Sequence, residues 1–231
     1  MNLIKCLYIY FLTTKILTMK MQSNFLYALV LFMTASFGML HAQDDNVTTE
    51  FGVKGGFNMS NLYQNDADDE NVLYGFNAGV YATLPVSDFI AIQPELLFTT
   101  KGAELDYNNA FASGNAKFKL NYIELPLLVR VNITKNFNVH AGGYASYLVS
   151  SKVTGDGDFS FEEEIDTDDL NKFDAGLSAG VGVDFNPISV GLRYNYGLTT
   201  VGKERTTAAG TYTFPDAKNS NLTLYVSYKL N

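Results

Sequence analysis

From Phe51 to the C-terminus, apolar residues recur at every second position, in stretches joined alternately by tight turns and long polar connections. A period of two marks a strand with one apolar face, because successive side chains point to opposite sides. The tight joins are Pro85-Val86-Ser87-Asp88, Asn132-Ile133-Thr134-Lys135-Asn136 and Asn186-Pro187. The long ones run from Asn61 to Val72, Gly102 to Ala116, Ser151 to Lys172 and Gly202 to Ser220. Short turns at one end and long loops at the other are the pattern of a transmembrane β-barrel, with turns in the periplasm and loops outside.

The rhythm predicts eight strands, at Glu50–Ser60, Leu73–Leu84, Phe89–Lys101, Lys117–Val131, Phe137–Ser150, Phe173–Phe185, Ile188–Val201 and Asn221–Leu230. Most are longer than the five or six residues usual in soluble sheets. They suit the roughly 9–11 tilted residues that cross a bilayer. Sorting by parity puts runs such as Phe76, Ala78, Val80, Ala82, Leu84 and Leu222, Leu224, Val226, Tyr228 on one face, and that face carries no charge. The other face is rich in glycine, tyrosine and paired-sign charge, as in Gly176, Ser178, Gly180, Gly182, Asp184 and Gly191, Arg193, Asn195, Gly197.

Parity alone also permits a soluble eight-stranded ligand-binding barrel with the apolar face inward. Glycine weakens a water-exposed strand face, whereas small residues beside Tyr and Arg fill a narrow eight-stranded interior. Open edges are not tolerated in hydrocarbon, so the sheet must close. The expected fold is all-β, an eight-stranded antiparallel up-and-down transmembrane β-barrel. Trp is absent, which leaves Tyr and Phe for the interfacial belts. Phe51, Phe185 and Tyr228 are expected near the periplasmic rim, and Tyr74, Phe98 and Tyr147 near the outer one.

The N-terminus reads as an export leader. Lys20 precedes an apolar run, Phe25 to Met39, that ends at Leu40-His41-Ala42 before Gln43-Asp44-Asp45. A basic start, an apolar stretch and a small residue at the cut describe a secretory signal peptide. Cleavage is expected after Ala42, with translation starting at Met19 or Met21, leaving residues 43–231 as the barrel domain. Cys6, the single cysteine, falls in the leader, so no disulfide or thiolate chemistry is expected in the mature chain. Without Lys5, Lys15 and Lys20, thirteen basic residues face twenty-four acidic ones, a net charge of −11. Nucleic acid calls for a basic footprint, so none is expected as a partner. Outer-membrane lipid and lipopolysaccharide are.

Three sets of residues bear chemistry. Lys54, Glu95, Glu124, Arg130, Asp174, Asp184, Arg193 and Lys229 all have inward parity and mixed sign, which predicts a lumen charge network, with Glu124 paired to Arg193 or Lys54. Buried charges persist chiefly when partnered. A polar conduit is the competing use of the same residues. His140 is the only histidine after the leader, and it shares the inward face with Ser146, Ser178, Asp174 and Asp184. That set contains the residue types of a triad, but no Gly-x-Ser-x-Gly context, and Ser146 stands about 20 Å along the strand at roughly 3.3 Å per residue. A lumen-lining histidine is expected. Asp66, Asp68 and Glu70 alternate as Ca²⁺ ligands do, yet Asn71 occupies the place of the turn glycine, and Asp156-Gly157-Asp158 is similarly incomplete. These are expected to be solvated loop charge. No catalytic residue, metal or cofactor is expected.

Several stretches together carry a family resemblance. Gly52-Val53-Lys54-Gly55-Gly56-Phe57-Asn58-Met59-Ser60, Gly75-Phe76-Asn77-Ala78-Gly79, Gln93-Pro94-Glu95-Leu96-Leu97-Phe98, Tyr122-Ile123-Glu124-Leu125-Pro126 and Arg193-Tyr194-Asn195-Tyr196-Gly197-Leu198 occur in order. With them the chain resembles the PorT-like family of outer-membrane β-barrel proteins from about Phe51 to Leu230. The resemblance implies a Gram-negative outer membrane and, through one branch, an association with type IX secretion. The chain departs from many such proteins by ending Lys229-Leu230-Asn231 instead of on an aromatic residue. The expected role is structural or surface display, without catalysis. Accessory work in a secretion machine with an envelope protein partner, or a narrow pore, are the alternatives.

Overall fold

The computed structural model describes residues 48–63, 71–108, 113–157, 161–164, 170–202, 204–207, 210–213 and 217–231. The expected leader lies outside the described residues. Eight strands close into a ring: β1 (Glu50–Tyr63), β2 (Asn71–Pro85), β3 (Ile90–Asn108), β4 (Ser113–Asn132), β5 (Phe137–Gly157), β7 (Phe173–Phe185), β8 (Ile188–Thr200) and β11 (Lys218–Lys229). Each pairs antiparallel with the next, and β11 pairs with β1 to shut the barrel. The remaining strands are short additions at the long-loop end. β6 (Phe161–Glu164) pairs with β5, and β9 (Glu204–Thr207) pairs with β10 (Gly210–Thr213) as a separate hairpin.

At the other end the turns are compact. Val86 and Ser87 N–H both donate to Ile90 O, at 2.8 and 3.0 Å, and Ile133 N–H donates to Phe137 O at 2.9 Å. The last residue closes the seam there. Phe51 N–H donates to Asn231 Oδ1 at 2.7 Å, while Asn231 Nδ2 donates to Thr49 O at 3.0 Å. The terminal asparagine thus satisfies backbone groups at the start of β1 and just before it.

Two expected boundaries are corrected. Gly102 to Ala116 is mostly hairpin, not loop, since β3 continues to Asn108 and β4 begins at Ser113. Likewise β5 runs on to Gly157, and β6 returns along it. The alternation persists in the β3 and β4 extensions, as Ala103, Leu105 and Tyr107 against Glu104, Asp106 and Asn108, but Gly102, Asn108 and Gly114 interrupt it with residues that also mark turns. Gly102 has φ +147°, a conformation reserved for glycine, and a Cβ there would collide with Phe118 O. It sits in the register shift between β2 and β3, which separates the Asn77–Thr99 pair from the Val72–Ala103 pair.

The two faces separate as the pleat requires. On β8, Leu192, Tyr194, Tyr196 and Leu198 are 41–51% exposed while the alternating Arg193 and Asn195 are buried. Phe57 is 75% and Tyr74 69% exposed. From Ile188 to Leu198 the exposed face rises about 25 Å, at roughly 3.3 Å per residue and a tilt near 40°. Phe185 and Tyr228 face outward at the short-turn end, and Tyr74 and Phe98 at the other, where Phe98 packs on Phe76 at 5.8 Å between ring centroids.

Candidate functional site

The lumen is built by the inward residues of opposing strands, and glycine gives it room. A Cβ at Gly176 would strike the Tyr144 ring, and one at Gly191 the Tyr225 hydroxyl. Two tyrosines therefore lie flat against bare backbone, and each ring faces a buried cation. Lys54 Nζ stands 4.0 Å from the Tyr225 centroid, and Lys101 Nζ stands 4.2 Å from that of Tyr144, a favourable contact with the ring face.

Nearer the short-turn end, Glu95 serves two cations. Lys54 Nζ donates to its Oε1 at 2.6 Å, and the Arg193 guanidinium binds both oxygens, Nη1 to Oε2 at 2.7 Å and Nη2 to Oε1 at 2.8 Å. Gln93 Nε2 is the fourth donor to this carboxylate, reaching Oε1 at 2.6 Å. Arg193 belongs to β8 and Glu95 to β3, four strands apart in a ring of eight, so this bidentate pair crosses the barrel axis.

Above it the stoichiometry is inverted. Lys101 Nζ lies 2.5 Å from Glu124 Oε2 and 3.3 Å from Asp174 Oδ2. Asp174 also accepts from Thr199 Oγ1 at 2.9 Å and Asn219 Nδ2 at 3.1 Å, and Glu124 from Asn195 Nδ2 at 3.2 Å. All six charges in the two triads are within a few per cent of complete burial. At the short-turn rim, Arg130 meets Asp184 at 2.5 Å and Lys229 meets Glu50 at 3.0 Å, both partly exposed.

The eight residues expected in the lumen therefore divide into an axial set (Lys54, Glu95, Glu124, Asp174, Arg193) and a rim set (Arg130, Asp184, Lys229). The expected partners of Glu124 are corrected: Arg193 and Lys54 go to Glu95, and Glu124 takes Lys101. Sequence reading missed Lys101. Its signal was present, because it continues the inward series Gln93, Glu95, Leu97, Thr99, but the strand was expected to stop there.

Also missed was an apolar stopper at the long-loop mouth, where Leu62, Leu120, Leu148, Leu170, Val201 and Ala217 are buried together. Leu62, Leu120 and Leu148 have inward parity but no polarity to announce it. Leu170 and Val201 arrive from connections fastened by Asn171, whose N–H donates to Val201 O at 2.8 Å and whose Nδ2 donates to Thr200 O at 2.8 Å and Gly202 O at 3.0 Å.

His140 is engaged at both nitrogens. Arg193 Nε donates to Nε2 at 3.3 Å, which leaves Nδ1 to donate to Asn138 Oδ1 at 3.3 Å. Ser146 Oγ donates to Glu124 at 3.3 Å and Ser178 Oγ to Asn195 Oδ1 at 2.7 Å. The serines and the histidine thus belong to different networks, and no nucleophile–base pair forms among them. Asp66, Asp68, Glu70 and Asp158 lie outside the described residues.

Residues 41–202 match the family described as Outer membrane protein beta-barrel domain. No curated protein matches the chain. Among solved structures, the chain is similar to Ail, the attachment invasion locus protein of Yersinia pestis, in complex with the heparin analogue sucrose octasulfate, with 14% identity over 79% of this chain and 99% of that one and a TM-score of 0.44. It is similar to Neisserial surface protein A at 15% identity, over 79% and 99% of the two chains, with a TM-score of 0.46. It is similar also to OprG from Pseudomonas aeruginosa at 12% identity, over 80% and 97%, with a TM-score of 0.44.

Proposed function

The chain belongs to the outer membrane protein beta-barrel domain family and is an integral outer-membrane protein; from that premise we propose that it is a non-conducting, non-catalytic barrel whose work is done by what it holds above the membrane. The observation that carries this reading is the Arg193–Glu95 pair across the axis, at 2.7 and 2.8 Å. An eight-stranded interior is just wide enough for side chains, and here two buried ion triads and an apolar stopper occupy it in series. A water-filled path would have to break a buried pair, which costs about 3–5 kcal/mol. Catalysis has no support in the lumen, since the lone pair of His140 is taken by Arg193.

What remains for function is the long-loop end. There β3 and β4 run on as a hairpin, β5 follows β4 to Gly157, and β6 returns along β5, which makes a projection of paired backbone. Surface display, and docking of an envelope protein to that projection, is the use it fits. The resemblance to the PorT-like family supports accessory work in a secretion machine as the second reading. Export through a leader cleaved after Ala42 belongs to the same reading, and N-terminal sequencing of the membrane-inserted protein checks it. The main test is paired. Planar bilayers holding the folded protein are expected to show no steady conductance, and crosslinking in native outer membranes is expected to attach a protein to the β3–β6 projection. Steady conductance by the wild-type chain would overturn the first half; projection residues that crosslink to nothing would overturn the second.

A further inference from the structure

Between the two triads lies a small void with room for about one water molecule, lined by Lys54, Asn77, Glu124, Arg193, Asn221 and Tyr225 among others. Asn77 and Asn221 are 5% and 1% exposed, and neither Oδ1 accepts a hydrogen bond from the chain. Their other ends are committed: Asn77 Nδ2 donates to Asn58 Oδ1 at 2.7 Å, and Asn221 Nδ2 donates to Thr223 Oγ1 at 3.1 Å. Turning the amides over does not help. A flipped Asn77 sets its oxygen against Asn58 Oδ1, another acceptor, and a flipped Asn221 sets its oxygen against Thr223 Oγ1, whose proton already goes to Asn58 Oδ1 at 2.9 Å. Either way a buried polar group is left facing the void without a partner, and such groups carry their full desolvation penalty.

The same void has donors to spare. Lys54 has three N–H protons, one of them given to Glu95; Arg193 has five, three of them given to His140 and Glu95. We propose that the void is a resident-water site, in which one water donates to Asn77 Oδ1 and Asn221 Oδ1 and accepts from the Lys54–Arg193 side. Only an amphoteric guest matches that set. An anion would face two amide oxygens. A monovalent cation would suit the oxygens but would stand against a triad carrying two positive charges and one negative, while Glu124 is already held by Lys101, Ser146 and Asn195. The water ties the triad with excess positive charge to the amide network of Asn58, Asn77, Asn221 and Thr223, so that ion layer and these buried amides form one hydrogen-bonded unit.

The test is a crystal structure of the detergent-folded protein at a resolution that shows ordered solvent, grown once from sodium chloride and once from rubidium chloride. A single oxygen within hydrogen-bond reach of both amide oxygens, unchanged between the salts, is expected. A dry void, or density that strengthens in rubidium and gathers four or more oxygen ligands, would overturn the proposal. In lipid nanodiscs, nuclear magnetic cross-relaxation is expected between water and the side-chain amide protons of Asn77 and Asn221, and its absence overturns the proposal.

Discussion

Glu95 is the residue with the most to lose. Among the described residues it is the only anion bridged to Lys54 and Arg193, and all three side chains are at most 3% exposed. Glu95→Gln keeps the shape and removes the charge, leaving two cations together in a dry interior. Breaking a buried pair by removing one partner costs about 3–5 kcal/mol, so the variant is expected to lose most of its stability to urea in lipid vesicles. Glu104→Gln is the matched control. Its bridge to Lys117 spans 3.6 Å with both side chains partly exposed, and a bridge of that kind contributes at most about 1 kcal/mol. The sequence revealed that these charges point inward but not which of them meet. Parity fixes a face, whereas Glu95 and Arg193 are ninety-eight residues apart and are brought together only by barrel closure. Lys101 escaped because it follows the last residue of the apolar stripe, where strand and loop look alike.

The strands themselves were legible wherever one face touches the hydrocarbon, since Val, Leu and Phe at alternate positions cannot serve any other geometry for long. Past Lys101 the alternation goes on, as Ala103, Leu105 and Tyr107 against Glu104, Asp106 and Asn108, but the glycines and asparagines interspersed with it read equally well as turn residues. The pleat offers its own test on β5. Gly142 and Gly143 are adjacent in sequence and opposite in facing. A Cβ on Gly142 would run into the backbone of β4, at Leu127 O and 2.9 Å from Leu128 Cα, while one on Gly143 finds only Gly176 O at 3.6 Å. Gly142→Ala is therefore expected to cost about 1–3 kcal/mol, the usual penalty for overpacking, whereas Gly143→Ala folds with unchanged urea midpoint. Equal effects of the two substitutions would mean that the faces have been assigned wrongly.

At the scale of the whole barrel two balances hold, one of charge inside and one of apolar surface outside. The lower triad has one positive charge in excess and the upper triad one negative, so each is incomplete without the other. Lys54→Met and Asp174→Asn should each destabilise the fold, and together they should cost less than their sum by about 0.5–3 kcal/mol, the range for coupled neighbours; additive costs would mean that the layers act separately. The outer balance is with lipid. Leu224, paired to Phe57 on one side and Leu192 on the other, lies halfway up the exposed apolar band and is 50% exposed. In water, Leu224→Arg would be harmless or would improve solubility. In a bilayer, an arginine at the midplane of a barrel's outer face costs about 2–4 kcal/mol and one near the interface about 0–1 kcal/mol. Leu224→Arg is thus expected to lower the unfolding free energy in phospholipid vesicles by that larger amount. Ile133→Arg, in the exposed turn between β4 and β5, is expected to leave it nearly unchanged. The depth dependence is the informative quantity, because only a slab of hydrocarbon makes the same substitution expensive at one height of a strand and cheap at another.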